Sequence, residues 1–417
     1  MHDSRWSRTG PLTSVCLVVA VMAPGNQAGA QEIIQLSGEN RLLDAEFEEL
    51  YRIGRPTGEP WEQFGSVGEV GFDAMGRLYV LDSQISTVFV VDGEGNLIRE
   101  FGREGDGPGE FRSAPEMVVM KDGRVVVLDV VRRAYHLFDG DGRPERTMGI
   151  GGDPSYTIIG NHMAQHGYGN LITAPDAFMA ITVSGEPPRR PDPVSRPIVR
   201  VKLAGDSIAR DTIAHGFQPP LLRLGDDPVW RHASLLRRTV ELSPRLYWGA
   251  LPDGSVAFSD SSAYAIKIAS ANGEGVFRVL TRPFQQEPVT DELMRAWKDD
   301  QLRRLEATPD EVLRERMDRN RERERIEALE FYHEIPALRG LYTTWNGKIW
   351  VRRRGDQPIS SGDVDVLAVE GRYVGTFRGG EIDIPDAFGP DGLAAFIETG
   401  ALGESMVVVR RLPLAVN

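Results

Sequence analysis

The chain has 417 residues, 41% of them hydrophobic and 26% charged, with 45 Gly and 27 Pro. This balance suits a globular protein built from short strands and many turns, and it excludes a disordered, collagenous or coiled-coil chain. A formal charge of -13 argues against non-specific attachment to nucleic acid or to an anionic membrane face.

At the N-terminus, Arg5 and Arg8 precede an apolar run from Leu12 to Ala23, followed by Ala28-Gly29-Ala30. A basic flank, a run too short to span a bilayer and a small-x-small box predict a secretory signal peptide over residues 1–30. The expected mature chain is exported to the periplasm or beyond and has no transmembrane segment. Its charge becomes -14, because Arg5, Arg8 and Asp3 leave, and Cys16, the single cysteine, leaves with them. No disulfide can then form, so stability must come from the core. Thr13-Ser14-Val15 before Cys16 is a poor lipidation box.

Next in order, Glu49-Leu50-Tyr51-Arg52-Ile53-Gly54 resembles Leu97-Ile98-Arg99-Glu100-Phe101-Gly102. Between these segments begins a repeat with a step of 47 residues. Phe64 falls on Phe111, Gly76 on Gly123, Arg77 on Arg124, Val80 on Val127, Leu81 on Leu128, Asp82 on Asp129, Asp92 on Asp139 and Gly95 on Gly142. A fixed period of roughly 20 to 50 residues marks a repeat architecture. Within the second copy, Glu116 to Met120, Arg124 to Leu128, Ala134 to Phe138 and a segment ending near Gly149 read as four strands separated by Asp-Gly or Gly-containing turns. Each unit is thus an antiparallel meander, the blade of a propeller.

The turn Gly and the strand after it recur at Gly76, Gly123, Gly169, Gly254, Gly347 and Gly392, with spacings of 47, 46, 85, 93 and 45. Six units make a closed ring, and the predicted fold is an all-β, six-bladed β-propeller occupying residues 31–417. The last unit runs out of chain after Met406 to Arg411, so residues 46–53 are expected to supply its fourth strand and remove an exposed sheet edge.

Two insertions interrupt the ring. Gly185 to Arg196, rich in Pro and Arg, reads as a surface loop. Residues 290–333 read as two helices, 290–306 and 308–332, the first capped by Thr290 and the second by Thr308 with Pro309 at its first position. This helical insertion follows a fourth strand, so it must emerge on the face that carries the links from second to third strand and the crossovers between blades. That crossover face is the expected location of a site.

Phe101-Gly102-Arg103-Glu104-Gly105-Asp106-Gly107-Pro108-Gly109-Glu110-Phe111, followed by Pro115, Asp122-Gly123, Val127-Leu128-Asp129 and Phe138-Asp139, resembles an NHL repeat. The resemblance implies a six-bladed propeller of the NHL kind in a secreted bacterial version. It leaves function open, because such propellers include protein-docking modules, RNA binders, and metal-dependent lyases and lactonases.

Asp82, Asp129 and Asp260 each stand six residues after the turn Gly of their unit. Recurrence in step with the repeat assigns them to the ends of second strands, accepting backbone hydrogen bonds. Departures from the repeat are the better candidates for function. Arg352, Arg353 and Arg354 form a positive spot able to hold a carboxylate or phosphate, with His333 and Glu334 beside it at the end of the insertion. A zinc site like that of the amidating-lyase relatives would require His162, His166 and His333 to converge. No set matching the calcium ligands of the lactonase relatives stands out, and there is no Gly-x-Ser-x-Gly elbow, phosphate loop or His-Glu-x-x-His motif.

The leading expectation is a monomeric, non-enzymatic propeller, with no required cofactor, binding a protein, peptide or glycan through the face that carries the helical insertion. The alternative is a zinc- or calcium-dependent lyase or hydrolase acting at the channel mouth.

Overall fold

Six four-stranded antiparallel sheets follow one another along the chain in a computed structural model that describes residues 31–151, 158–159, 163–166, 170–174, 179–180, 194–203, 205, 207–221, 239–309, 318–401 and 403–417. The predicted signal peptide and most of the Gly185 to Arg196 loop lie outside the described residues. From the inner strand outward, blade 1 comprises Val67–Phe72, Leu78–Asp82, Thr87–Val91 and Leu97–Phe101. Blade 2 comprises Glu116–Val119, Val125–Asp129, Ala134–Phe138 and Pro144–Gly149. Blade 3 comprises Met163–His166, Asn170–Thr173, Ser195–Lys202 and Ala209–Phe217. Blade 4 comprises Tyr247–Ala250, Val256–Ser259, Ala265–Ala269 and Val276–Thr281, and blade 5 Leu338–Thr343, Lys348–Arg354, Ser361–Ala368 and Tyr373–Phe377.

Blade 6 is made from both ends of the chain: Ala387–Phe388, Leu393–Thr399 and Ser405–Arg411, then Glu48–Ile53. The N-terminal strand runs antiparallel to Ser405–Arg411, from Glu48 opposite Arg411 to Ile53 opposite Val407. Its end repeats the end of the outer strand of blade 1. Gly54 and Gly102 both adopt positive φ, 96° and 85°, where a Cβ would come within 3.0 Å of Phe64 and 2.7 Å of Phe111 respectively. Each aromatic is buried against the turn that only Gly can make there. A further strand, Glu32–Gln35, pairs in parallel with the outer strand of blade 4, an addition that the repeat does not announce.

The core is six wedges, one in each seam between neighbouring blades, as the near-continuous apolar second and third strands require. Val80 and Val91 face blade 6 while Tyr79, Leu81, Val88 and Val90 face blade 2, so the period-2 alternation of one blade feeds two seams. Trp350, fully buried between blades 5 and 6, donates its indole N–H to the carbonyl of Val416 at 2.7 Å and so ties down the C-terminus.

The insertion contains α1 (Asp291–Ala307), whose N-cap Thr290 accepts the N–H of Leu293, and α2 (Arg319–Glu327), capped by Asp318. Thr308 closes α1, its hydroxyl donating to the carbonyl of Arg304 at 2.8 Å, and residues 310–317 of the expected second helix lie outside the described residues. The described part of the second helix also ends at Glu327, earlier than expected, because Phe331 bridges to Glu241 in the preceding crossover. Leu305, Ile326, Leu329, Trp297, Leu302 and Phe331 form a small core of the insertion's own. Its two ends meet in a short antiparallel stem, Glu287–Pro288 with Glu334–Ile335. No helix among the described residues is long and apolar enough to cross a membrane.

Candidate functional site

The inner strands of the blades surround the central channel, and the channel holds a cavity of about 530 Å³. Its walls are the later residues of the inner strands and the turns that follow: Gly71 and Phe72, Val119 to Asp122, Ala250 to Pro252, Thr343 to Trp345, and Pro385 to Phe388. An inner strand begins at the crossover face and ends at the hairpin-turn face, so the cavity lies toward the hairpin-turn end. The helical insertion immediately precedes the inner strand of blade 5, which places it at the opposite end. The sequence pointed to the crossover face; the cavity is displaced toward the other.

Aromatic side chains supply much of the wall, namely Phe72, Trp248, Tyr342, Trp345 and Phe388. Lys121, exposed at the mouth, holds its ammonium 4.9 Å from the centroid of the Trp345 ring. Arg124, also at the mouth, is occupied by Asp122 at 2.9 Å.

Carboxyl groups lie deeper. Glu69 and Asp386 line the cavity, and Glu116 stands behind it in the seam between blades 2 and 3, only 8% exposed. Glu69 and Glu116 are one 47-residue step apart and occupy the same place on successive inner strands. Burial pushes the Glu69 carboxyl up to about 8, and the like charges of Glu116 and Asp386 add to the effect. Burial also pushes Glu116 to about 8, against a single N–H from Met163. Asp386 is raised by desolvation, which the N–H of Ile397 at 2.6 Å only partly offsets. None of the described residues forms an ion pair with these three groups, so burial holds each carboxyl above its usual range.

The aspartates singled out by the repeat behave in the opposite way. Asp82 accepts the N–H groups of Gly65, Ser66 and Gln84 at 2.7, 3.1 and 3.0 Å. Asp129 accepts those of Arg112 and Arg132 at 2.8 and 2.9 Å, and Asp260 accepts that of Phe217 at 2.7 Å and an ion pair from Lys267. Each pins an incoming crossover to the end of a second strand. Burial pushes Asp129 up, but the imidazole of His136 3.6 Å away and the N–H groups of Arg132 and Arg112 outweigh it and hold the carboxyl below its usual range.

The arginine run is not a free positive spot. Arg353 pairs with Asp363 and lies 3.5 Å from Asp365, a buried carboxylate that also accepts Arg282 at 2.8 Å and the Tyr264 hydroxyl at 2.9 Å. Arg354, 7% exposed, reaches Glu287 in the stem of the insertion at 2.7 Å and lies over Phe284. Arg352 is partly buried, and its Nε has no hydrogen-bond partner among the described residues. Glu334 accepts the Ser262 hydroxyl, and His333 stacks on Tyr332 with centroids 4.2 Å apart. Arg354, through Glu287, and Glu334, through Ser262, therefore each anchor the stem of the insertion. His162 and the side chain of His166 lie outside the described residues. Among the described residues no group of three or more His, Cys, Asp and Glu is arranged to hold a metal ion.

The chain is a six-bladed β-propeller. A family model described as 6-bladed beta-propeller, DUF5128, matches residues 62–150, which are blades 1 and 2. No curated protein matches the chain. Among solved structures it is similar to a member of the DUF4221 family from Bacteroides vulgatus, with a TM-score of 0.50 and 10% identity over 88% of this chain and 97% of that one. A Bacteroides fragilis protein aligns at a TM-score of 0.48 and 10% identity over 91% and 99% of the two chains. Virginiamycin B lyase from Staphylococcus aureus aligns at 0.38 and 10% over 88% and 100%. At such identity the likeness is one of fold, and it assigns no activity.

Proposed function

We propose that this chain is an exported propeller of the NHL kind that binds a peptide, a glycan or a small loop of a partner protein in the hairpin-turn mouth of its channel. The observation that carries this reading is the cavity of about 530 Å³, walled by five aromatic side chains and floored by carboxyl groups that the fold leaves without ion-pair partners. A concave, largely apolar site with a few convergent polar groups is the usual form of a binding site. The signal-like residues 1–30 support export. Two variants test the reading: Ala387→Trp, which fills the channel mouth, and excision of residues 290–332. Native mass spectrometry of the mature protein after exposure to extracytoplasmic peptides and glycans should show adducts on the parent and on the excised form but not on Ala387→Trp. Loss of adducts on excision, with Ala387→Trp unaffected, would move the site to the crossover face.

One observation favours a second reading, a lyase or hydrolase at the same mouth. A carboxyl group raised to about 8, such as Glu69, is protonated at neutral pH and is suited to act as a general acid. Turnover abolished in Glu69→Gln, with binding intact, would establish it.

A further inference from the structure

We infer that the channel mouth recognises a cationic group, an ammonium or guanidinium borne on an apolar or aromatic body. This rests on the channel-binding reading and names the chemistry of its ligand. The cavity joins two features that the fold does not require. Its wall includes the aromatic side chains of Trp248, Tyr342, Trp345 and Phe388, and aromatic π systems attract cations as well as apolar surface. The position of Lys121 over Trp345 shows that this wall accepts an ammonium group. Its floor carries Glu69 and Asp386, backed by Glu116, with no Lys or Arg pairing to any of them among the described residues. Lys121 lies five residues beyond Glu116, roughly 16 Å along an extended chain, too far to neutralise it.

Leaving carboxyl groups desolvated and unpaired is costly, and a hydrophobic residue at these inner-strand positions would avoid that cost. At the matching place on the inner strand of blade 4, Tyr247 stands opposite Ser259 as Glu116 stands opposite Leu128, which shows that the architecture accepts an uncharged residue there. A bound cation supplies the missing partner. It also draws the carboxyls into their ionised form, so protons are released as the ligand enters. The groups that face Glu69 and would share this change are Glu116 from blade 2 and Asp386 from blade 6.

The test uses the mature full-length protein with phenethylamine and its neutral counterpart 2-phenylethanol, followed by fluorescence of the cavity tryptophans and by calorimetry at pH 7 in two buffers of different ionisation heat. The amine is expected to bind at least tenfold more tightly than the alcohol, with proton release. Glu69→Gln and Asp386→Asn should each reduce that preference while leaving the weaker binding of the alcohol unchanged. Equal binding of both probes, lost together in Ala387→Trp, overturns the cationic ligand but leaves the channel-binding reading standing. Binding of neither probe overturns the inference, and the adduct experiment then decides the channel reading by itself. Calcium chloride is titrated in parallel; saturable binding of calcium that depends on Glu69, without binding of the amine, assigns the carboxyls to an inorganic ion and overturns the proposal.

Discussion

Two sets of acidic residues keep step with the repeat and do different things. Asp82 and Asp129 close second strands and accept three and two backbone N–H groups, and Asp260 accepts one together with the ammonium of Lys267; Glu69 and Glu116 stand on inner strands and accept one N–H each, with no cation among the described residues. Asp129 is consequently held below its usual range, and Glu116 is pushed to about 8. Keeping step with a repeat therefore does not separate a structural acid from one available to a ligand. The supply of hydrogen-bond donors does, because a desolvated carboxylate is tolerated only where donors replace the lost water.

The largest effect is expected from removing an acid that backbone N–H groups surround. Asp82→Ala and Asp129→Ala each strand two or more N–H groups, and each should cost on the order of 3 kcal/mol in urea unfolding. A loss under about 1 kcal/mol would mean that the crossovers are held by other contacts.

Replacing an acid short of such donors should do the reverse. A folded-state value near 8 against an ordinary 4.5 means that the folded chain holds the Glu116 proton longer than the unfolded chain does. Stability therefore falls as pH rises from about 4.5 to about 8 and is not lost below that window. Glu116→Gln should stabilise the protein by roughly 2 kcal/mol at pH 8 and leave it unchanged at pH 4. For Asp129 the sign is opposite: its depressed value contributes stability above the ordinary aspartate range, and that contribution is lost as pH falls through the folded-state value. Urea midpoints across pH for the parent, Asp129→Asn and Glu116→Gln should show the acid limb flattened in the first variant and the neutral-to-alkaline limb flattened in the second.

A smaller effect on stability is expected at the cavity wall. Trp345 is partly buried, so Trp345→Ala should cost about 1 kcal/mol while weakening phenethylamine binding several-fold. The smallest effect is expected from excising residues 290–332 and joining the stem with Asn-Gly. Val289 already donates to the carbonyl of His333 at 3.0 Å, so the ends are adjacent, and the insertion's core is its own. The melting midpoint should move by only a few degrees. A collapse would show that the insertion props blades 4 and 5.

Much of the ring was legible in the sequence because propeller blades are local: Asp-Gly turns, alternating strands and a constant step suffice to count six units. Closure was legible too, since Gly54 matches Gly102 and the last blade lacks a strand. The site was less so. A search for departures from the repeat led to Arg352, Arg353 and Arg354, yet the partners of Arg353 and Arg354, Asp363, Asp365 and Glu287, come from a neighbouring strand and from the insertion stem. The available signal was a Glu repeated inside otherwise apolar inner strands, at positions 69 and 116, where its conformity to the repeat hid it.

The number of blades, their four-stranded form, the strand that closes the ring and the capped start of α1 can all be read along the chain, because each depends on contacts between near neighbours or on one repeated pattern. Which acids are surrounded by donors, which end of the channel holds the cavity and which arginines are engaged emerge only in the folded ring. Those outcomes depend on donors, charges and desolvation contributed by segments far apart in the chain, which meet only when the six blades close around their axis.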